Sequence, residues 1–449
     1  MLIACIVIFK YMNSKTLLCI KGANIGMMDY SKFISKLSSR RKPSCISELR
    51  RALDNCSPSL VWLASGMPNP EKFPFREMTV TLEGGKKLTL SKETLSAGLQ
   101  YGPSHGYLPF RNQLKRMVEQ WHAPPRWAES DLIVTVGNQD GISKALDMLL
   151  DPEDFIVVPD PCYSDFLCML SSLAPQIVAV SVDDQGMRPD ILQSALEKAI
   201  SSGSTGIPKA LYLVPNSCNP TGTNMGEERR QEIYAIAQQY DLIILEDDPY
   251  CFLQFNDKYL PSFLSMDVDG RVLRFDSFSK VVSSGLRIGF VTGPPPLLQG
   301  ITLHMQASCI CPPMLSQVLI HELLTSWGDE GFKKHISDIC QFYKEQRDAM
   351  IQALKTHLTG ICEWIVPEGG IFVWLKVLHL SDTSAMLLER GAKGDIVLVP
   401  GREFMVDSTK PSPYMRAAYS CVTPEEMMKG MENLAKLIQK EIELQSTHT

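Results

Sequence analysis

Residues 242–250 read LIILEDDPY, an apolar run that leads into three acidic residues, a proline and a tyrosine. An apolar run this short is typical of a strand buried on both faces of a sheet. Similar runs lie at 132–136, 155–159, 177–182, 210–215, 272–276 and 287–293, and amphipathic segments at 139–150, 189–200 and 226–240 predict helices between them. Alternating strands and helices predict an α/β fold with parallel crossover units and a large doubly wound sheet.

The chain changes pattern beyond residue 330. A long helical segment at 332–358 precedes apolar runs at 362–367, 371–377, 396–400 and 414–420, with helices near 384–390 and from Pro424. This order predicts a smaller α+β C-terminal domain. We therefore predict a leader over residues 1–28, a mobile N-terminal arm over 29–65, a large domain over 66–330 and a small domain over 331–449.

Composition excludes several classes of protein. Hydrophobic residues make up 45% and charged residues 21% of the 449 positions, which is ordinary for a globular protein and excludes a disordered chain. Forty-four basic against 50 acidic residues give a net charge of -6, whereas a nucleic-acid binder needs a basic excess. The 13 cysteines form no CxxC pair, and Cys309 with Cys311 has neither zinc-ligand nor thioredoxin spacing, so we expect reduced thiols and no bound metal.

The N-terminus differs from the rest of the chain. Its first acidic residue is Asp29, and a Ser-, Lys- and Arg-rich stretch follows. This pattern is typical of a mitochondrial presequence, so we predict the mitochondrial matrix, with the cytoplasm as the alternative. An alternative is that translation starts at Met27 or Met28, and the preceding residues would then not belong to the protein. The apolar run over residues 1–9 is too short to span a bilayer, which takes about 20 residues, so we expect no membrane span.

The first motif with chemistry is SFSK, Ser277–Lys280, followed by Arg287. A lysine amine in a partly desolvated pocket condenses with an aldehyde to form a Schiff base. Serine hydroxyls and an arginine fork suit a phosphate dianion. The alternative for the lysine is a surface charge, since the tetrapeptide alone is a weak signal for pyridoxal phosphate.

Two further motifs follow predicted strands. In EDDPY, a carboxylate at Asp247 suits the protonated nitrogen of a pyridine ring, and Tyr250 suits its phenolic oxygen. In NSCNPTG, residues 216–222, Asn219 supplies a second donor to that oxygen. Taken singly, the first motif also fits an acidic turn and the second fits a loop without function.

The remaining candidates are a loop and an aromatic residue. In VGNQDG the backbone N–H groups near Asn138 and Gln139 open a predicted helix, and such termini bind phosphate. The segment matches neither GxxxxGK[ST] nor GxGxxG. Tyr163 follows the run at 155–159 and could lie on the pyridine ring, although a lone aromatic residue is more often part of the core.

The order of these motifs along the chain is specific. It resembles the aspartate-aminotransferase-like family of pyridoxal-phosphate enzymes of fold type I from about Met28 to Leu437. Within that family LASGMPNPEKFPF, LQYGPSHGYLPFR and PSPYMRAAYS are similar to kynurenine/α-aminoadipate aminotransferases. The resemblance implies transamination of an L-amino acid (kynurenine, 2-aminoadipate or other aromatic and apolar donors) with 2-oxoglutarate, in two ping-pong half-reactions.

The resemblance also implies roles for residues. Lys280, Asp247 and Tyr250 would be catalytic, with Lys280 carrying pyridoxal 5'-phosphate and shuttling the proton. The cofactor would further contact Asn138, Gln139, Tyr163, Asn219, Ser277, Ser279, Arg287 and, across a homodimer interface, Tyr101. Arg416 would bind the substrate carboxylate bidentately, with Asn219, Gly66 and Tyr163 nearby. The family usually has serine at the position of Asn138, and we expect little consequence because backbone donors suffice there.

Rival functions remain on this scaffold. A lyase of the cysteine-conjugate β-lyase type or a decarboxylase would use the same cofactor, although Arg416 favours loss of the α-proton over decarboxylation. A pyridoxal-phosphate transcription regulator needs a DNA-binding domain, and the residues that precede the matching region are too few for one. The Lys280–Asp247 pair disfavours a non-catalytic binding protein.

One position departs from the resemblance. The related enzymes carry an arginine after a Pro-Ser-x-Ile stretch that meets the distal end of substrates, and here Pro43–Ile46 is followed by Ser47. A hydroxyl offers no charged fork to a side-chain carboxylate. We therefore expect weaker use of α-aminoadipate relative to kynurenine, unless Arg50 or Arg51 substitutes.

Overall fold

The computed structural model describes residues 28–45, 61, 63, 66–202, 206–256 and 259–446. Over these residues the strands are β1 (Thr79–Thr81), β2 (Lys87–Thr89), β3 (Asp131–Thr135), β4 (Phe155–Asp160), β5 (Gln176–Asp183), β6 (Gly186–Met187), β7 (Pro208–Leu213), β8 (Ile243–Asp247), β9 (Val272–Ser277), β10 (Gly289–Gly293), β11 (Cys362–Trp364), β12 (Phe372–Val377), β13 (Val399–Pro400) and β14 (Tyr414–Ala418). The α-helices are α1 (Lys92–Gly98), α2 (Leu108–His122), α3 (Gly137–Leu149), α4 (Ser164–Leu173), α5 (Pro189–Ser201), α6 (Glu227–Gln239), α7 (Pro295–Ser308), α8 (Met314–His357) and α9 (Pro424–Ser446).

An eight-stranded sheet in the order β3-β10-β9-β8-β7-β4-β5-β6 forms the centre of the molecule. The pairs β5–β4, β4–β7, β7–β8 and β8–β9 are parallel, as the strand–helix alternation predicts. Strand β10 instead runs antiparallel to both β3 and β9, which the sequence pattern did not predict. Residues 278–288 join β9 to β10 without an α-helix, and a return without a crossover brings a strand back antiparallel.

Both faces of this sheet are buried, which confirms the interpretation of the continuous apolar runs. In β8, Ile244 contributes to the apolar cluster on one face, and its neighbours Ile243 and Leu245 contribute to the cluster on the other. All three side chains are fully buried. Helices therefore cover the sheet on both sides, and the carboxyl ends of the parallel strands stay free for function.

A second, antiparallel sheet has the order β11-β12-β14-β13. Its core includes residues of α8, such as Leu354, and of α9, such as Leu434. Helix α8 is broken at Gly328, where φ is 61° and ψ is -175°. The domain boundaries drawn from the sequence stay predictions.

The start of the predicted N-terminal arm packs against the eight-stranded sheet. Phe33 is 1% exposed within the same cluster as Ile243, and the Tyr30 hydroxyl donates to the carbonyl of Gly270 over 2.9 Å. The predicted leader through residue 27 and Ser47 lie outside the described residues. Within the described ranges, no helix is both long and apolar enough to cross a membrane.

Candidate active site

The predicted site residues gather where parallel strands of the large sheet end. Asp247 is the last residue of β8, and Ser277 is the last of β9. Asn219 lies in the loop after β7, and Tyr163 lies between β4 and α4. Since carboxyl ends of neighbouring parallel strands meet at one edge, the fold brings residues whose successive spacings along the chain are 28 to 56 positions into one cleft, as expected.

Asp247 is buried and accepts a hydrogen bond on each carboxylate oxygen. The Asn138 amide nitrogen donates to Oδ1 over 2.9 Å, and the Tyr212 hydroxyl donates to Oδ2 over 2.9 Å. Burial raises the pKa of Asp247 to about 6, although these two hydrogen bonds act to lower it. The carboxylate is therefore a strong local acceptor held in a site where a cationic partner would be stabilised.

The two acidic neighbours of Asp247 are used elsewhere. Glu246 and Asp248 each lie 3.0 Å from the guanidinium of Arg274, which also contacts Asp276 at 2.8 Å. Arg274 is fully buried, and although burial disfavours its charge, the three carboxylates raise its pKa well above the usual value. Of the three acids in EDDPY, Asp247 is thus the one free to face the cleft.

Lys280 lies half-buried three residues after the end of β9. Burial lowers the pKa of its amine, and the positive charges of Arg416 and Arg287 lower it further. A lowered pKa increases the fraction of neutral amine, the form that attacks a carbonyl and accepts a proton. Arg287 lies in the loop between β9 and β10, and Arg416 lies on β14 of the four-stranded sheet.

The start of α3 and Arg287 form a cradle suited to an anion. Gly137 has φ of +76°, and a Cβ there would lie 2.6 Å from Nη2 of Arg287, so the guanidinium approaches the helix N-terminus because residue 137 has no side chain. The Arg287 Nη2 group donates to the Val136 carbonyl over 3.4 Å. Ser279 N–H donates to the Ser277 hydroxyl over 3.1 Å. Helix N–H groups, hydroxyls and a guanidinium are the donors a phosphate prefers.

Arg416 of β14 reaches this cleft from the four-stranded sheet. Its Nη1 donates to Asn219 Oδ1 over 2.7 Å. Its guanidinium lies over the rings of Phe372 and Phe404, with centroids 4.2 and 4.9 Å away. Its Nε is buried without a hydrogen-bond partner among the described residues. A planar fork held by two aromatic rings, with donors to spare, suits a carboxylate.

Two tyrosines complete the cleft. Tyr250 is 4% exposed, and burial together with the charge of Asp247 raises its pKa, so its phenol stays a protonated donor. The Tyr163 hydroxyl donates to Asp165 Oδ2 over 2.7 Å, and burial above all raises its pKa as well. The Tyr163 hydroxyl also lies 3.4 Å from Gln139 Oε1, which links it to the start of α3.

Two predicted residues are not brought to the cleft within this chain. The side chain of Tyr101 is 52% exposed, in the segment between α1 and α2. Gly66 is exposed, and a Cβ added there would have none of the described residues within 4 Å. Their roles stay predictions.

Three side chains of the cleft were missed by sequence reasoning. Tyr212 lies in a run that predicts only a strand core, and Phe372 and Phe404 are ordinary apolar residues in the sequence. A signal for Tyr212 was present, because a hydroxyl on an otherwise aliphatic buried strand needs a partner. For the two phenylalanines no local signal existed, since their contact with Arg416 depends on tertiary packing.

Comparisons with known proteins agree with this geometry. The sequence model of the family described as aminotransferase class I and II matches residues 61–434. Kynurenine/α-aminoadipate aminotransferase, mitochondrial, from Bos taurus is 41% identical, over 92% of this chain and 100% of the relative.

Solved structures show the same architecture. Aminotransferase Aro8 from Candida albicans superposes with a TM-score of 0.83 at 27% identity, covering 93% of this chain and 99% of that one. Kynurenine aminotransferase from Pyrococcus horikoshii, solved in complex with PMP, KYN as substrates and KYA as products, has a TM-score of 0.72 at 30% identity. That match covers 92% of this chain and 98% of the other.

Proposed function

Because the chain belongs to the class I and II aminotransferase family, we propose that it transfers the amino group of kynurenine, 2-aminoadipate or other aromatic and apolar L-amino acids to 2-oxoglutarate. The observation that carries this proposal is that one cleft holds the amine of Lys280 and two guanidinium groups, Arg287 beside the N-terminus of α3 and Arg416 hydrogen-bonded to Asn219. An amine together with two such anion-binding groups suits an amino acid and a phosphorylated aldehyde.

Pyridoxal 5'-phosphate is the cofactor, and the donor set of the cleft fits it. When bound, it supplies an aldehyde that condenses with amines and a ring that withdraws electrons from the substrate α-carbon. Asp247 would face the ring nitrogen, with Asn219 and Tyr250 at the ring oxygen. Tyr163 would lie against the ring. The phosphate would be held by Ser277, Ser279, Arg287 and the N–H groups near Asn138 and Gln139.

Proton transfer and carboxylate binding fall to side chains of the protein itself. With the cofactor bound, Lys280 would act as the base that takes the α-proton of the amino acid, because its lowered pKa leaves neutral amine available. Arg416 binds and orients the substrate carboxylate through two parallel N–H···O bonds. The Asn219 oxygen that accepts from Arg416 fixes the rotation of the guanidinium. Phe372 and Phe404 exclude water from its faces.

A screen of amino donors with 2-oxoglutarate as acceptor tests the function. We expect glutamate to form with kynurenine and 2-aminoadipate, and not with the Lys280→Ala variant. A lyase would instead release ammonia from a cysteine conjugate without needing 2-oxoglutarate. Ammonia release with no glutamate from any donor would contradict the proposal.

The proposed active form is a homodimer. Tyr101 is half exposed in the single chain, whereas its sequence context, LQYGPS, is that of a cofactor contact in the resembling enzymes. A second copy of the chain could bring this side chain to the phosphate. The proposed location is the mitochondrial matrix, which the acid-poor start of the sequence and the mitochondrial label of the Bos taurus relative support.

A further inference from the structure

The carboxylate of Asp247 is held by two donors of the chain itself. Asn138 Nδ2 occupies Oδ1 and the Tyr212 hydroxyl occupies Oδ2, each at 2.9 Å. A carboxylate oxygen accepts two hydrogen bonds, so each oxygen keeps one lone pair for a further donor. Because Asp247 is only 4% exposed, its remaining acceptor positions are largely shielded from bulk water.

The orientation of Asn138 follows from its surroundings. Its amide nitrogen lies 2.9 Å from Asp247 Oδ1 and 3.0 Å from the Phe275 carbonyl oxygen, both acceptors, so the NH₂ group must point there. Space for the amide comes from Gly289, where a Cβ would lie 2.7 Å from Asn138 Oδ1. A serine has a single O–H and cannot bridge two acceptors. The side chain of Asn138 therefore does something that serine, usual in the family, would not do.

The position of the Tyr212 side chain is also fixed by its surroundings. Its side chain is fully buried, and its ring stacks on Phe166 with centroids 3.5 Å apart and planes 11° from parallel. A buried hydroxyl needs a partner, and Asp247 Oδ2 is the acceptor that the Tyr212 O–H reaches. Removing the hydroxyl while keeping the ring would leave the packing and take away only this donor.

We propose that Asn138 and Tyr212 are positioning residues that keep the Asp247 carboxylate ionised and aimed at the pyridine nitrogen of pyridoxal phosphate. This inference rests on the role proposed above for Asp247. Two donors on the carboxylate stabilise its charged form, which burial disfavours. A carboxylate stripped of one donor becomes more basic, so the shared proton moves from the ring nitrogen toward the carboxylate.

Asp248 after β8 and Arg274 on β9 also act on the pKa of Asp247. Besides burial, the charge of Asp247 in turn raises the pKa values of Cys162 and Tyr163 after β4, Cys218 after β7, and Tyr250. Of these, Asp248 and Arg274 act in opposite directions on the pKa of Asp247. None of them hydrogen-bonds the Asp247 carboxylate in the part of the chain described, which leaves Asn138 and Tyr212 as its direct donors.

The test is the ¹⁵N chemical shift of the ring nitrogen in holoenzyme reconstituted with ¹⁵N-labelled pyridoxal phosphate at pH 7.5. We expect a protonated-ring signal in wild type. In Asn138→Ser and in Tyr212→Phe the signal should move toward that of unprotonated pyridine, and further in the double variant. The kcat of each single variant should fall about tenfold, the size of one hydrogen bond to a charged group, with KM for the amino donor little changed.

Matched controls separate this role from a general structural effect. Asn112→Ser makes the same chemical change at an exposed position of α2, and Tyr240→Phe removes a hydroxyl at the end of α6. Both should keep the wild-type signal and kcat. If Tyr212→Phe does not fold, as judged by circular dichroism, Asn138→Ser alone decides.

The Asp247→Asn variant separates the positioning role of Asn138 and Tyr212 from the contact of Asp247 with the ring nitrogen. If it shifts the ring signal while Asn138→Ser and Tyr212→Phe keep the wild-type signal, the positioning role is wrong and the role of Asp247 stands. If Asp247→Asn itself leaves the ring signal unchanged, Asp247 does not pair with the ring, and both proposals about it are overturned.

Discussion

Arg416 and Asn219 join the two sheets of the molecule through one hydrogen bond, from Nη1 to Oδ1 over 2.7 Å. Arg416 belongs to the four-stranded sheet, and Asn219 lies in the loop after a strand of the eight-stranded one. We proposed above that Arg416 binds the substrate carboxylate and that Asn219 faces the substrate and the cofactor. Their hydrogen bond fixes the two side chains relative to each other before any substrate binds. Preorganisation of this kind reduces the cost of binding.

We therefore predict that Arg416→Lys, which keeps the charge but loses the fork, raises KM for every amino donor and for 2-oxoglutarate. A charge-assisted hydrogen bond is worth about 1.5–3 kcal/mol, so kcat/KM should fall roughly ten- to a hundredfold. Steady-state kinetics of both half-reactions measure this. Arg402→Lys is the control, because Arg402 pairs with Asp382 in the same part of the chain. A KM within twofold of wild type would refute the assignment.

Lys280→Ala should abolish turnover and leave the fold intact. No other amine is assigned to the cleft, and Lys280→Arg should be equally inactive, because a guanidinium stays protonated and cannot attack a carbonyl. Glutamate formation and circular dichroism provide the two measurements. Full activity in a folded Lys280→Ala protein would remove Lys280 from the mechanism.

Asp247 should make the cofactor-free protein less stable as pH rises. Burial raises its pKa from 3.8 to about 6, so the folded state holds a proton that the unfolded state has already released. The stabilisation is therefore fully present below pH 3.8 and is lost as pH rises through about 6. The total loss is about 3 kcal/mol, because each unit of pKa difference corresponds to about 1.36 kcal/mol.

Urea denaturation of the cofactor-free protein at pH 5 and pH 7 measures this dependence. Asp247→Asn should lessen the loss of stability between the two values, whereas the exposed Asp338→Asn should not. Pyridoxamine phosphate, which cannot condense with Lys280, should stabilise wild type more than Asp247→Asn at pH 7. The same pH dependence in both proteins would contradict a buried Asp247 that loses its proton between pH 5 and pH 7.

The fold and the family could be predicted from the sequence because they rest on local signals. Buried strands such as 242–246 are continuous apolar runs, and polar residues follow them directly. The α/β class, the pyridoxal-phosphate cofactor and the aminotransferase family are confirmed. The antiparallel β10 was missed, since no local pattern records the direction in which a loop returns.

The contacts around the carboxylate could not be predicted for a different reason. The expectation that Asn138 matters little considered only its backbone N–H, whereas the side chain reaches Asp247 on a strand 109 positions away. Likewise the sequence singled out Asp247 but gave no sign that Arg274, on the neighbouring strand, pairs with both Glu246 and Asp248. Such pairings depend on strand order and register, which only the folded chain specifies.

Substrate preference should respond to position 47, which lies outside the described residues. Ser47→Arg restores the charged fork of the resembling enzymes, so kcat/KM for α-aminoadipate relative to kynurenine should rise at least tenfold. Competition assays with the two donors measure the ratio. Ser39→Arg, an exposed position earlier in the same segment, is the control. If wild type already prefers α-aminoadipate and the arginine changes nothing, Ser47 plays no part in specificity.

The proposed dimer predicts a shared site, which hybrid dimers test. Suppose that Tyr101 of each subunit completes the partner's site. A heterodimer of Lys280→Ala with Tyr101→Ala then contains one doubly defective site and one wild-type site. If Tyr101 serves its own subunit, the same heterodimer contains two singly defective sites and no wild-type one.

Heterodimers purified with two affinity tags should, if the site is shared, bind pyridoxal phosphate with wild-type affinity at half of their sites and show about half of wild-type kcat. Sedimentation must show a dimer throughout, and an active monomer, or a heterodimer no better than the Tyr101→Ala homodimer, would contradict the shared site.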